Sequence, residues 1–466
     1  MLFNSITFLV FLPLVFAIYW LPMFRKATWQ NLLLIVASYV FYGWLDWRFC
    51  GLLAFSSATA YFCGMLIGEH KRKGWMWVCV MVELGVLCFF KYFAFFTDSI
   101  TVAFRSLGLE LDIPTVRIIL PVGISFYSFM AISYVVDVYH GKFEPVREPM
   151  RFFAYSSFFP QLLAGPIGRA SELVPQFSVP RSFDYELAVD GCRQMLWGYF
   201  KKLVIADGCS VLTVRLFGSP EVFPGSVLLM GAFIYAIQIY ADFSGYSDLA
   251  IGCGKLFGIR LMDNFKFPYF ATNIADFWRR WHISLTTWFR DYVYIPLGGN
   301  RCSKLKQIRN TFIVFLLSGL WHGANWTFVI WGFIHACFFM PLLLLKKPIK
   351  ESDARRGLFA TLCAWTLTFA SVMLAWIFFR ADSFSAALHY LAKMFSPSIF
   401  TVPRQYLSML PWIAVCMLFE WFQRKRAHAL DIVAWPFPLR WALYFTIAVI
   451  CIAYKQRVAE FIYFQF

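Results

Sequence analysis

Residues 309–345 read RNTFIVFLLSGLWHGANWTFVIWGFIHACFFMPLLLL, and this stretch decides the fold class of the chain. Crossing a hydrocarbon core of about 30 Å takes roughly 20 apolar residues in a helix. The stretch is long enough for two crossings and carries few charged side chains. We therefore predict two membrane spans, at 309–327 and 328–345, with His322 inside the first of them.

The same composition extends over the whole chain. Of its 466 residues, 60% are hydrophobic, 21% aromatic and 15% charged, whereas a soluble domain is about 45–50% apolar and about 25% charged. This excludes a soluble enzyme, a disordered chain and a small disulfide-stapled module. Further apolar blocks predict spans at 5–22, 29–46, 49–68, 75–96, 116–137, 188–213, 226–251, 357–378, 408–422 and 438–455. The expected fold class is an all-α polytopic membrane protein with roughly 11–13 transmembrane or re-entrant helices.

The net charge of +16 is distributed as in membrane proteins, which excludes nucleic acid as a partner. Lys and Arg form short clusters between apolar blocks, and such clusters mark cytoplasmic loops. The clusters are Arg25–Lys26, His70–Lys73, Lys346–Lys347 with Lys350, Arg355–Arg356 and Arg424–Arg426. If each is cytoplasmic, the spans alternate without conflict and the N-terminus lies on the outer side of the membrane.

Two stretches do not read as spans. Residues 152–166 are apolar but short, which predicts a re-entrant or interfacial segment, and residues 265–308 mix aromatic residues, arginines, prolines and glycines. Irregular backbone at membrane depth is tolerated where it is buried in protein or lines a wet cavity. The second stretch therefore predicts a cavity floor. No internal repeat is visible, which weakens the alternative of an inverted-repeat transporter.

His322 is the first candidate for chemistry. It lies 13 residues after Arg309, or roughly 20 Å along a helix, and an ionisable residue at that depth indicates a functional site. A neutral histidine there suits general base catalysis. Asn325 follows three residues later, on the same face of a continuous helix, where it could orient the imidazole or bind substrate. A histidine satisfying a core hydrogen bond is the alternative. The remaining histidines read as structural: His70, His140, His335, His389 and His428.

The second candidate is the block from Asp276 to Asp291, which also contains His282. Helical spacing predicts Asp276 beside Arg279 and Arg280. These two arginines, together with Arg290 and Arg301, could hold the phosphates of a nucleotide-bearing donor. The alternative is that they only meet the membrane surface.

The third candidate is the polar patch Asp242-Phe-Ser-Gly-Tyr-Ser-Asp248, with Asp242, Ser244 and Tyr246 as possible substrate or donor ligands. Polar groups within a span face a cavity or tie helices together. No Walker loop, HExxH or GxSxG motif occurs, so an ATP-driven pump and a zinc or serine hydrolase are not supported. No metal site is predicted.

These motifs resemble those of a known family. Trp321-His-Gly-Ala-Asn-Trp326, followed by Trp331-Gly332, is similar to the signature of the membrane-bound O-acyltransferases, in their bacterial alginate O-acetyltransferase branch. Further matching segments are Phe277–Leu285, Arg290–Arg301, Asp242–Asp248, Leu120–Phe126, and the opening with Asn31 and Ala37–Tyr42. The resemblance covers most of residues 1–345, so the spans at about 350–466 rest on hydropathy alone.

The resemblance implies one membrane-embedded acyltransferase domain over residues 1–466, with a central tunnel around the catalytic His322 and a second histidine at His282. It further implies transfer of an acetyl group from acetyl-CoA, a substrate rather than a resident cofactor, to hydroxyls of an exported polysaccharide. Asn325, a tryptophan such as Trp321, or backbone groups would then hold the oxyanion.

The resemblance also implies partners and a location. These are a periplasmic SGNH-like acetyltransferase, a polysaccharide synthesis and export complex, and the lipid bilayer of the bacterial inner membrane, with the N-terminus periplasmic. Two alternatives stay open. One is D-alanine transfer from a carrier protein to teichoic acid by a sibling enzyme, and the other is a transporter that performs no covalent chemistry.

Overall fold

The computed structural model describes residues 1–109, 119–345, 357–403, 407–454 and 461–462. These residues are 76% helical, and no strand occurs among them. Helices satisfy their own backbone hydrogen bonds, which an apolar chain in lipid requires. Within the described ranges, six helices are long and apolar enough to cross a membrane: Arg48–His70, Lys73–Ser106, Gly225–Leu256, Trp326–Leu344, Leu358–Arg380 and Phe437–Tyr454. The protein is therefore a polytopic, all-α membrane protein.

The described residues form two compact units, and the first consists of residues 1–191 and 253–262. Its helices are α1 (Ile6–Tyr19), α2 (Ala27–Gly43), α3 (Arg48–His70), α4 (Lys73–Leu87), α5 (Phe93–Ser106), α6 (Ile124–Tyr139), α7 (Pro149–Ser156), α8 (Phe159–Leu162) and α9 (Ala170–Ser178). Helix α10 (Tyr185–Tyr199) begins in this unit. A π-helical turn, Cys88–Tyr92, joins α4 to α5 without a break.

The second unit consists of residues 192–252 and 263–466, as far as they are described. Its helices are α11 (Asp207–Gly218), α12 (Gly225–Leu256, whose last turn belongs to the first unit), α13 (Ile274–Arg280), α14 (Ile283–Phe289), α15 (Lys304–His322), α16 (Trp326–Leu344), α17 (Leu358–Arg380), α18 (Phe384–Met394), α19 (Leu410–Gln423) and α20 (Phe437–Tyr454). Two π-helical segments, Phe200–Ala206 and Arg290–Tyr294, follow α10 and α14. The expectation of one domain over 1–466 stays a prediction.

Most predicted spans coincide with helices, and the differences have physical causes. The span predicted at 309–327 ends earlier, because α15 stops at His322 and α16 starts at Trp326. The stretch 152–166 is split into α7 and α8, and 265–308 contains the short helices α13 and α14. Helix α18 was not predicted, since it is short and amphipathic.

Some predictions fall on residues that the structure does not describe. The basic cluster at 346–356 lies outside the described residues, as does the start of the span predicted at 116–137. The helix in that region is observed from Ile124 onward.

Helices α15 and α16 pack closely through glycines. A β-carbon on Gly319 would lie 2.2 Å from the carbonyl oxygen of Phe328, and one on Gly332 would lie 2.2 Å from that of Phe315. Both clashes involve backbone atoms, which cannot rotate away as a side chain can. Small residues at such positions let helix backbones approach in the way that membrane interfaces favour.

Gly319→Ala should therefore destabilise the folded protein by about 1–3 kcal/mol, the usual cost of overpacking. The matched control is Gly85→Ala, because nothing lies within 4 Å of a β-carbon at Gly85 in α4. The measurement is the unfolding free energy of both variants in detergent. Equal stability of the two variants would contradict the close contact.

Candidate functional site

His322 is the last residue of α15 and is only 3% exposed. Its ring contacts three aromatic rings, those of Trp321, Trp331 and Phe379, with centroids 5.0, 5.1 and 5.3 Å away. The interplanar angles of 82°, 88° and 72° are edge-to-face, the geometry that aromatic quadrupoles favour. The imidazole is thus held in one orientation by aromatic packing.

Asn325 does not lie on the same helical face as His322, so that prediction is wrong. The chain leaves the helix at Gly323, whose backbone is extended, and Asn325 is the N-cap of α16. Its Oδ1 accepts a hydrogen bond from the Thr327 N–H at 3.0 Å, and its Nδ2 donates to the carbonyl of Asp382 at 3.1 Å. An N-cap accounts for the asparagine by itself, because it satisfies an orphan N–H at the helix start.

His282 lies in the same unit with its ring centroid 6.3 Å from that of His322. Trp321 contacts both rings, since its centroid is 5.7 Å from that of His282. His282 precedes α14, outside the candidate spans, and burial lowers its pKa from 6.5 to about 3, so the ring is neutral at physiological pH. The two histidines that the sequence singled out are therefore neighbours.

The backbone of His282 is in the left-handed conformation, with φ 42° and ψ 56°. A residue with a β-carbon adopts this region at a cost of about 1–3 kcal/mol, and such strain concentrates at functional sites. Its carbonyl accepts a hydrogen bond from Thr286 N–H at 2.9 Å, which begins α14. With this backbone conformation the ring is buried in the protein, where it packs against Phe243 of α12 at 4.6 Å between centroids.

Asp276 pairs with both predicted arginines. Its Oδ2 lies 3.0 Å from Arg280 Nε and its Oδ1 lies 3.4 Å from Arg279 Nη2. The contacts at i+3 and i+4 are confirmed. One carboxylate is thus shared by two guanidiniums, so the cluster keeps a net positive charge.

The arginines differ in what they line. Arg279 and Arg290 line a cavity of about 280 Å³, the arginine cavity, whose other walls include Trp278, Phe315 and Ser318. Arg280 is not among the lining residues. Arg290 is also paired with Asp291, Nε to Oδ1 at 2.7 Å. Arg301 is exposed in the turn before α15 and does not line the cavity either.

A second cavity of about 470 Å³, the Asn325 cavity, begins beyond the end of α15. Asn325, Gln238 and Arg380 contribute polar groups to its wall, and Phe379 contributes the ring that contacts His322. Tyr235 also lines it, and its hydroxyl has no hydrogen-bond partner among the described residues. Ser318 of the arginine cavity is one helical turn before His322, so the two cavities flank this histidine along the chain.

Asp242 is part of an ion network that the sequence did not reveal. Its Oδ1 lies 2.8 Å from Lys202 Nζ, which also contacts Asp207 at 2.8 Å, and its Oδ2 accepts from the Ile462 N–H. All three charged side chains are almost fully buried. Tyr246 packs near the same ammonium, 5.7 Å from its ring centroid.

The neighbouring residue, Lys201, forms the other half of this network. Its Nζ lies 2.7 Å from Asp248 and 3.8 Å from Glu420, and Glu420 accepts a hydrogen bond from the Tyr240 hydroxyl at 2.7 Å. Ser244 lines a cavity of about 30 Å³ beside these groups, which is room for about one water. Two adjacent lysines within an apolar block were the sequence signal. Asp207 lies five residues from Lys202, but the other carboxylate partners, Asp242, Asp248 and Glu420, are distant in sequence.

The network ties the π-helical segment Phe200–Ala206 to α11, α12 and α19, so the Asp242 patch has a structural use. Its role as a substrate or donor ligand stays a prediction. Among the other histidines, the packing of His335 supports a structural role, and the interpretation of the rest stays a prediction. His335 is fully buried among aromatic rings, with Trp331 at 4.8 Å and Trp278 at 5.0 Å between centroids.

Comparison with known proteins identifies the class. The model of the membrane-bound O-acyltransferase family matches residues 146–379. The chain belongs to this family and is a membrane-bound O-acyltransferase. The match continues past residue 345, where the resemblance in the sequence was expected to end.

Three relatives illustrate the likeness. The chain is 42% identical to the probable alginate O-acetylase AlgI of Azotobacter vinelandii, over 85% of this chain and 78% of that protein. It is 36% identical to the peptidoglycan O-acetyltransferase of Helicobacter pylori, over 84% and 80%. It is 28% identical to the teichoic acid D-alanyltransferase of Bacillus subtilis, over 56% and 69%.

If the buried ion network holds these helices together, removing one of its lysines should destabilise the folded protein. Lys202→Met should cost about 3–5 kcal/mol, because it leaves Asp207 and Asp242 buried without their shared cation. Lys266→Met is the matched control, since Lys266 forms an exposed pair with Asp263 at 3.5 Å and such pairs contribute about 0–1 kcal/mol. Unfolding in detergent is the measurement. If Lys202→Met is as stable as the control, the network does not hold these helices together.

Proposed function

We propose that this enzyme transfers an acetyl group from acetyl-CoA to hydroxyls of an exported polysaccharide, with His322 as the general base. The observation that supports this most is the position of His322. Its ring is buried beside His282, and the two cavities flank it along the chain. His322 lines neither cavity itself, but Ser318 of the first and Phe379 of the second are its neighbours, and we propose that donor and acceptor reach it from these two sides.

The arginine cavity suits the donor. Coenzyme A carries phosphates, and guanidiniums bind phosphate through charge-assisted hydrogen bonds. Arg279 and Arg290 supply them, while the aromatic side chains Trp278, Phe289 and Phe315 supply an apolar wall for the rest of the donor. Because the cavity reaches Ser318, a thioester extending along α15 would end near His322.

The Asn325 cavity suits a hydroxyl-bearing acceptor. Gln238, Asn325 and the Tyr235 hydroxyl offer hydrogen bonds, and Phe328 and Phe379 offer flat apolar surface, the combination on which sugar rings pack. The charge pattern predicts that this end of α15 faces the outer side of the membrane. The acceptor would then approach from the periplasm of a bacterial inner membrane, with the N-terminus also periplasmic.

The chemistry is acyl transfer. His322 accepts the proton of the acceptor hydroxyl as its oxygen attacks the thioester carbonyl carbon. The carbon–sulfur bond then breaks, the thiolate takes the proton from the imidazolium, and an acetyl ester and free coenzyme A remain. The Trp321 indole N–H and nearby backbone N–H groups are the candidates to stabilise the oxyanion.

The acyl group and the partners are inferred from the relatives. Those named for O-acetylation match at 36–42% identity over most of the chain, whereas the D-alanyltransferase of Bacillus subtilis matches at 28% over 56% of it. We therefore favour acetyl over D-alanyl transfer. A periplasmic SGNH-like acetyltransferase and the polysaccharide synthesis and export machinery are the proposed partners.

His322→Gln should abolish acetyl transfer, since losing a positioned general base costs about a hundred- to ten-thousandfold in rate. His335→Gln is the matched control and should keep most activity, because His335 packs among aromatic rings and its ring nitrogens make no hydrogen bond in the described part of the chain. The assay uses purified protein in nanodiscs with radiolabelled acetyl-CoA and the polysaccharide. Near-normal turnover of a folded His322→Gln protein would exclude the general-base role, and use of a D-alanyl carrier instead of acetyl-CoA would exclude acetyl transfer.

Arg279→Gln should weaken acetyl-CoA binding by about ten- to a hundredfold, because a charge-assisted bond contributes about 1.5–3 kcal/mol. Arg280→Gln should have a smaller effect, since Arg280 pairs with the same Asp276 but does not line the arginine cavity. Binding is measured by isothermal titration of the purified variants. If both variants lost the same affinity for acetyl-CoA, the two arginines would act only through their shared partner Asp276.

A further inference from the structure

Asn264 is a fully buried polar residue that neither the sequence motifs nor the proposed chemistry uses. It lies in the segment between α12 and α13, and its carbonyl accepts a hydrogen bond from the Ile283 N–H at 2.9 Å. Two residues later, the Lys266 N–H donates to the carbonyl of Arg280 at 3.0 Å. These two bonds bracket Trp281 and His282, the site of the left-handed backbone.

The side chain of Asn264 makes further bonds to the same region. Its Oδ1 accepts from Ser284 Oγ at 2.7 Å and from the Ser284 N–H at 3.3 Å. Its Nδ2 donates to Ser247 Oγ of α12 at 3.1 Å. A buried amide with bonds on both its oxygen and its nitrogen is fixed in orientation, and so are the groups that it joins.

Ser247 is one helical turn after Phe243, so both lie on the same face of α12. Phe243 is the residue whose ring contacts the His282 imidazole, at 4.6 Å between centroids. Asn264 therefore connects the backbone that carries His282 to the helix face against which its ring packs. Removing the amide would break the bonds to Ser247 and Ser284 and leave only the main-chain bond to Ile283.

We infer that Asn264 is a positioning residue that holds His282 in its strained conformation, with the imidazole facing His322. This inference rests on the proposed function only for its effect on catalysis. A left-handed histidine relaxes toward an ordinary conformation unless its surroundings over-determine it. The bonds from Asn264 to Ser247 of α12, and to Ile283 and Ser284 of α14, supply that constraint.

The catalytic test is a double-mutant cycle of Asn264→Ala with His282→Ala. In the wild-type background, Asn264→Ala should lower kcat by about ten- to a hundredfold, the scale expected when a catalytic group is misplaced by about 1 Å. KM for acetyl-CoA should stay nearly constant. In the His282→Ala background, Asn264→Ala should have little further effect, and an equal fold-loss in both backgrounds would overturn the inference.

Asn31→Ala is the control for general loss of a buried amide. Asn31 is buried in α2 of the first unit and donates to the carbonyl of Phe177 at 2.9 Å. It should lower the unfolding temperature without lowering the kcat of the folded fraction. A drop in kcat like that of Asn264→Ala would attribute the effect to stability, against the inference.

A second measurement does not depend on activity. In protein labelled with ¹³C and ¹⁵N histidine, solid-state NMR resolves the ring signals, and the His282→Ala spectrum assigns that of His282. Asn264→Ala should move the His282 signal and leave that of His335 in place. An unmoved His282 signal would overturn the inference. If the wild type did not transfer acetyl from acetyl-CoA, the proposed function would fail while this spectrum still decided the role of Asn264.

Discussion

Helices α15 and α16 approach so closely that backbone carbonyls of each helix lie directly against a glycine of the other, Phe328 against Gly319 and Phe315 against Gly332. Phe328 contacts this interface twice, because its carbonyl lies against Gly319 and its ring lies against Gly323, where a β-carbon would be 2.1 Å away. The contact fixes the point at which α15 ends and the chain reverses. His322 is the residue at that point. Its position therefore depends on close packing at Gly319, about one turn before it, and at Gly323, the residue after it.

The second constraint is electrostatic. Lys201, Lys202 and three of their four carboxylate partners are buried within a largely apolar fold, and the fourth, Asp248, is partly buried. Breaking a buried pair leaves an uncompensated charge. Because the segment Phe200–Ala206 must meet α11, α12 and α19 for these pairs to form, the network specifies how those elements align. Helix α12 then presents Phe243 and Ser247 to the segment that carries His282. The two histidines are thus positioned by different means, one by glycine packing and one by polar contacts.

Hydropathy and charge predicted most helices, and the motif around His322 predicted the family. The Asp276 contacts also followed from helical spacing alone. What spacing could not predict is where a helix breaks. Gly323 and Ala324 are compatible with a helix, so the spacing placed Asn325 on the same face as His322. The Phe328 ring that packs against Gly323 comes from the next helix, and residue spacing does not predict that contact. Likewise, the partners of Lys201 and Lys202 lie up to 219 residues away in sequence, at Glu420, and no local pattern records such a pairing.

The proposed chemistry places His322 between a donor in the arginine cavity and an acceptor in the Asn325 cavity. The most direct test is a cryo-electron microscopy structure of the protein in nanodiscs with a non-hydrolysable acetyl-CoA analogue, in which a methylene group replaces the thioester sulfur. The account predicts the phosphates beside Arg279 and Arg290 and the analogue's carbonyl carbon within reach of the His322 ring. An analogue bound elsewhere, or one bound in the arginine cavity with its carbonyl directed away from His322, would contradict it.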